Sequence, residues 1–190
     1  MVGTWEIKVT TSGMPQKIAT AFGELSETIL GAQYTPIAYI GSQQVNGVNH
    51  AVLAEQLVVT GKDVKNVVLI IFNERPEGVS VVNIERIVEA GGELGGTKVD
   101  VQTDIPEEAT DAFNKVFTGF VGSKVEPFAL LGTKVEKGTT YIFAAKVTPV
   151  VQDPTPNFVI VTVNELENKI TFADPLRSNV KNSLGYAFTW

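Results

Sequence analysis

Apolar residues at Ile18, Ala21, Phe22, Leu25 and Ile29 follow the i, i+3, i+4, i+7 spacing of a helix with one buried face. Ala109, Ala112, Phe113, Val116 and Phe120 repeat that stripe later in the chain. The aromatic members read as a helix packed on a sheet, because their period is helical and nothing near them marks a cofactor. Pro15 and Pro106 stand where each helix begins, a position that suits proline, with Asp104 as a cap for the second. Gly31 and Gly122 are expected to end the two helices. A short extended segment precedes each helix, at Trp5–Thr10 and 98–103. Strand-like apolar stretches follow at 34–42, 48–59, 67–73 and 79–88, then again at 125–133, 139–151, 158–164 and Lys169–Ala173. The joints carry turn residues, among them Asn46-Gly47, Gly61-Lys62-Asp63 and Arg75-Pro76-Glu77-Gly78. Strands this close together pair antiparallel.

The two runs of elements are in register. Residues 106–165 align with 15–74 at a constant shift, without a gap. Identical pairs include Pro15/Pro106, Phe22/Phe113, Gly31/Gly122, Pro36/Pro127, Gly41/Gly132, Gly47/Gly138, Asn66/Asn157, Asn73/Asn164 and Glu74/Glu165. Shared Gly and Pro positions mean shared backbone turns. The chain is therefore expected to hold two copies of one small unit. The expected division is 1–90, a Gly-rich linker at 91–97, and 98–190. One helix on an antiparallel sheet in each copy gives an α+β fold class. The tail 177–190 has no counterpart in the first copy. Its alternating Tyr186, Phe188 and Trp190 suggest an added edge strand.

Charge and composition narrow the chemistry. The net charge is −6 over 190 residues, and the acidic residues are scattered. That disfavours nucleic acid and anionic membrane as partners. No apolar run is long enough to span a bilayer. Cysteine is absent, which removes disulfides and thiol chemistry. The opening Met1-Val2-Gly3-Thr4-Trp5-Glu6 lacks the basic head and apolar stretch of a secretory leader. A cytoplasmic location is the expectation, with a trimmed secreted form as the alternative. His50 is the sole histidine and lies in a strand pattern. A structural role suits it better than a metal site or a hydrolase triad, both of which need several convergent groups. Glu24/Glu27 and Glu107/Glu108 read as solvated helix faces rather than acid/base pairs. The glycines from Gly91 to Gly96 are followed by Thr97-Lys98, the wrong order for a phosphate loop. No catalytic group, cofactor or metal is expected, so binding is the better functional class and the chain is not expected to be an enzyme.

One hairpin carries a more specific signal. Gln43-Gln44-Val45-Asn46-Gly47 reads Gln-x-Val-x-Gly at the tip of a predicted hairpin with a tight Asn-Gly turn. It resembles the first inhibitory hairpin of the cystatin family. A one-faced helix and Tyr34-Thr35-Pro36 precede it, and Val48-Asn49-His50 follows it. The apolar strand 68–72 then runs into a turn at Pro76, similar to the second cystatin hairpin. Gly3 stands where cystatins carry an N-terminal glycine. This resemblance covers residues 3–88. It implies tandem cystatin-like domains, each a helix on a curved antiparallel sheet. It also implies reversible inhibition of papain-like cysteine proteases by a wedge of Gly3, residues 43–47, and Pro76 with Glu77. Such a wedge fills the cleft and offers no scissile bond in a productive pose.

Departures from the family pattern limit the site to the first copy. Glu77 stands where tryptophan is typical, so a charge replaces a large apolar contact. In the second copy the first tip is Lys134-Val135-Glu136-Lys137-Gly138, and the second turn, Glu165-Leu166-Glu167-Asn168, lacks Pro and Trp. The alternative reading is a non-inhibitory protein-binding module, or an inhibitor of another peptidase class. Monomer and domain-swapped dimer both remain open, since hairpins of this kind exchange between copies.

Overall fold

In the computed structural model, residues 3–59, 62–91 and 96–178 are described. Contacts divide the chain into two compact units, Met1–Glu89 and Ala90–Trp190. The first unit runs β1 (Trp5–Thr10), α1 (Gln16–Thr28), β2 (Ala32–Val45), β3 (Gly47–Val59), β4 (Asp63–Arg75) and β5 (Gly78–Glu89). The second runs β6 (Thr97–Gln102), α2 (Glu107–Val116), β7 (Ser123–Glu136), β8 (Gly138–Pro149), β9 (Asn157–Asn164), β10 (Lys169–Ala173) and α3 (Pro175–Ser178). Each unit is a five-stranded antiparallel sheet in simple sequence order, β1-β2-β3-β4-β5 and β6-β7-β8-β9-β10.

The α+β expectation of cystatin-like domains, each with one helix on its sheet, needs correction. Among the described residues the fold is mostly β, 59% strand and 15% helix, and the three helices are short. The second unit holds two of them, α2 and the four-residue α3. The strands gain at the expense of turns. β2 runs to Val45 and β3 starts at Gly47, so residues read as loop lie in the ladder. In β4 every residue from Asn66 to Asn73 is buried. An unbroken apolar run of this kind marks a strand buried on both faces.

Helix α1 packs Ile18, Ala21, Phe22 and Leu25 against Tyr39, Val52, Ala54, Val68, Ile70 and Phe72. Helix α2 packs Ala109, Ala112, Phe113 and Val116 against Leu130, Tyr141, Phe143, Ala145, Val159, Val161 and Val163. Both helices end earlier than their stripes suggest, at Thr28 and Val116. Gly31 and Gly122 instead take positive φ in the turns into β2 and β7. Their carbonyls accept hydrogen bonds from Val59 and Val150. Pro15 and Pro106 are N-caps without a side-chain hydrogen bond, so Asp104 does not cap α2.

The repeated Gly and Pro have identifiable work in the sheets. β2 changes register between Pro36 and Ala38 and between Tyr39 and Gly41, and β7 does so at Pro127/Ala129 and Leu130/Gly132. β1 lies so close over Gly41 that a Cβ there would sit 2.2 Å from the Glu6 carbonyl oxygen. The Lys98 oxygen would be 2.3 Å from a Cβ on Gly132. Within the expected linker, Thr97 belongs to β6, while 92–95 lie outside the described residues. The expected tail strand with Tyr186, Phe188 and Trp190 also lies outside them.

Candidate functional site at the hairpin tips of the first unit

Three segments meet at one end of the first sheet. The Gly3 N–H donates to the Gln44 carbonyl at 2.9 Å, and the Gly3 carbonyl accepts Gln43 Nε2 at 2.9 Å. A Cβ on Gly3 would fall 2.8 Å from the Gln44 oxygen, so only glycine lies this close to the β2 backbone. Gln43 Oε1 in turn accepts Asn49 Nδ2 at 3.1 Å. Asn49 Oδ1 accepts Asn73 Nδ2 at 2.9 Å. Asn73 Oδ1 accepts Arg75 Nε at 2.8 Å, and the same Nε donates to the Asn46 carbonyl at 3.1 Å. This chain of bonds joins the N-terminal segment, the β2–β3 tip and the end of β4. It uses the cross-strand row Gln43↔Asn49↔Asn73.

The tip itself differs from the expected tight turn. Val45 pairs with Gly47, leaving Asn46 alone at the apex. Gly47 has φ +90, whereas Asn168 is the only described non-glycine residue with positive φ. The left-handed residue is therefore Gly47 alone and not an Asn-Gly pair. Gly47 is fixed twice over, because a Cβ would also lie 2.5 Å from the Glu74 oxygen and 2.8 Å from Arg75 Cγ. Gln44 and Asn46 are exposed and Val45 is half-buried. Pro76 and Glu77 form the exposed turn between β4 and β5, next to Arg75↔Gly78.

Thus Gly3, Gln43, Gln44, Asn46 and Gly47 are brought together directly. The second tip is coupled to them by Asn73 and Arg75, with no hydrogen bond from Pro76 or Glu77 to the first tip among the described residues. Asn49, Asn73 and Arg75 lie outside the expected contact residues, although Asn49 follows the motif and Arg75 opens the second turn. The identity of Asn73 with Asn164 was the available signal. The row itself needs strand register, which periodicity does not supply.

A polar cluster lies beneath the tips. His50 is 6% exposed. Its Nε2 is 3.1 Å from Glu74 Oε2 and its Nδ1 is 3.1 Å from the Tyr39 hydroxyl. A carboxylate only accepts, so Nε2 is the donor to Glu74. Lys17 on α1 closes the cluster at 2.5 Å from Glu74 Oε1. The Lys17 hydrogen bond holds the Glu74 carboxyl below its usual range, with burial opposing and His50 assisting. Burial pushes the Tyr39 phenol up. The cluster ties helix α1 to strands β2, β3 and β4. Among the described residues no group of three His, Cys, Asp or Glu side chains could hold a metal, and no helix is long and apolar enough to cross a membrane.

The second unit keeps the frame with other chemistry. Gly138 has φ +80, and a Cβ there would meet Leu166 Cβ at 2.9 Å. Asn164 Nδ2 donates to the Lys137 carbonyl at 3.0 Å and to Thr140 Oγ1 at 2.9 Å. Val135 and Leu166 are 61% and 75% exposed. Tyr141, at the repeat position of His50, donates to Glu108 Oε1 at 2.6 Å. Burial, then the Glu108 carboxylate, push its phenol up to about 12. Neither protein-family models, nor curated proteins, nor solved structures yield a match to this chain.

Proposed function

We propose that the first unit is a reversible protein inhibitor of papain-like cysteine proteases, and that it works by seating its tip edge in the active-site cleft. The observation that supports this reading most is the hydrogen-bonded alignment of Gly3, residues 43–47 and the end of β4 on one edge. An edge assembled before contact loses little conformational entropy on binding. Val45 supplies a small apolar contact at the tip, and Gly47 keeps the backbone slim enough to enter a cleft. The similarity of Gln43-x-Val45-x-Gly47 to the cystatin inhibitory hairpin supplies the protease class. Inhibition by blockage requires no chemistry from the edge.

The test is binding of the intact chain to papain, compared with Val45→Asp and Gly47→Glu variants. Loss of binding by about tenfold or more in both is expected, since each places a charge in the contact. Unchanged binding in both would remove the tip from the interface.

Glu77 favours a second reading, in which the same edge binds a protein of another class. Its exposed carboxylate stands at the centre of the second tip, where a large apolar anchor would contribute most. Failure to inhibit any of a panel of papain-like proteases at micromolar concentration would support this alternative.

A further inference from the structure

In both units the carbonyl preceding the tip glycine accepts a side-chain hydrogen bond from the neighbouring hairpin. In the second unit the donor is Asn164, whose Nδ2 reaches the Lys137 oxygen. Its counterpart Asn73 is committed elsewhere, its Nδ2 to Asn49 and its Oδ1 to Arg75. In the first unit the donor to the Asn46 oxygen is Arg75 Nε instead. Arg75 occupies the same repeat position as Leu166, and both side chains lie over the tip glycine. The cover over the glycine is thus shared, and the donor is peculiar to Arg75.

We propose that Arg75 is the positioning residue of the tip edge, fixing the first tip on the second and so setting the shape of the surface a partner meets. The consequence for binding rests on the function proposed above; the clamp does not. A charged Nε–H shared between Asn46 and Asn73 is a stronger tether than a neutral amide. The rigid guanidinium also holds its direction, which a flexible ammonium does not. Without the tether the apex pivots about Gly47, and ordering it again on binding opposes association.

The experiment uses the full chain, labelled with 15N, as wild type, Arg75→Lys and Asn164→Ala. Backbone order parameters from 15N relaxation are read at Asn46 and Gly47 and at Lys137 and Gly138. Arg75→Lys is expected to lower them from about 0.85 towards about 0.6 at the first pair and leave the second unchanged. Asn164→Ala is expected to do the reverse. Papain dissociation from Arg75→Lys should be faster by roughly tenfold, with association changed less than about threefold. Unchanged order parameters at Asn46 and Gly47 would overturn the clamp. Lower order parameters with unchanged papain dissociation would overturn its role in binding. Absence of papain binding by the wild type would count against the proposed protease target alone, because the order parameters still decide the clamp.

Discussion

Gly41 and Gly23 make opposite predictions from the same substitution. At Gly41 a methyl group would enter the Glu6 carbonyl, which belongs to backbone and cannot rotate away. Gly41→Ala is expected to destabilise the protein by about 1–3 kcal/mol, as overpacking does. Gly23 lies inside α1 with nothing near its missing Cβ. Gly23→Ala is expected to stabilise by about 0.5–1 kcal/mol through helix propensity. Thermal melts of the two variants check both signs. Tyr141 and Glu74 give the pH dependence at this scale. The Tyr141 phenol is raised to about 12, above its unfolded value of about 10. Its contribution to stability is therefore complete below about pH 10 and is lost as pH rises towards 12. Tyr141→Phe should flatten the alkaline limb of a stability–pH curve. Glu74 is depressed by Lys17 and His50, so its contribution is present above the ordinary carboxylate range and disappears as pH falls through the depressed value. Glu74→Gln should lessen the acid sensitivity of melting.

Among the elements, the second hairpin carries the most discriminating prediction. If the tip edge enters a protease cleft, Glu77→Trp should tighten papain inhibition by about tenfold or more, because a buried tryptophan anchor replaces a charge. The variant keeps Pro76 and Gly78, so the turn itself is undisturbed. An inhibition constant that fails to improve would mean that Glu77 does not face the partner. The elements also show what periodicity conveys. The stripes at Ile18–Phe22–Leu25 and Ala109–Phe113–Val116 place α1 and α2 on the correct faces. Strand length was less accessible, because β4 is apolar on both faces and its alternation vanishes. Tip residues such as Gln44 have a loop-like sequence, yet they continue the β2–β3 ladder. Those extensions helped shift the class from α+β to mostly β. The residues 43–47 were legible as a motif, whereas the Asn49–Asn73–Arg75 tether was not, since it depends on three strands coming into one row.

On the scale of the whole molecule, the repeat separates frame from surface. The helix stripes, the register changes after Pro36 and Pro127 and the close crossings at Gly41 and Gly132 are common to both units. The edges diverge in detail: Gln44, Val45, Asn46 and Arg75 of the first stand where the second has Val135, Glu136, Lys137 and Leu166, and Val135 and Leu166 are exposed there beside the charged Glu136 and Lys137. Replacing residues 134–137 by Gln-Gln-Val-Asn tests whether the frame alone suffices. Little papain inhibition is expected from this graft when residues 43–47 carry Val45→Asp, because the second unit lacks the Arg75 tether. The central claim is that the first edge occupies a protease cleft. Steady-state kinetics of papain with a small peptide substrate and increasing amounts of the intact chain test it most directly. The account predicts reversible inhibition competitive with substrate. Absence of inhibition at micromolar concentration, or inhibition independent of substrate concentration, would contradict it.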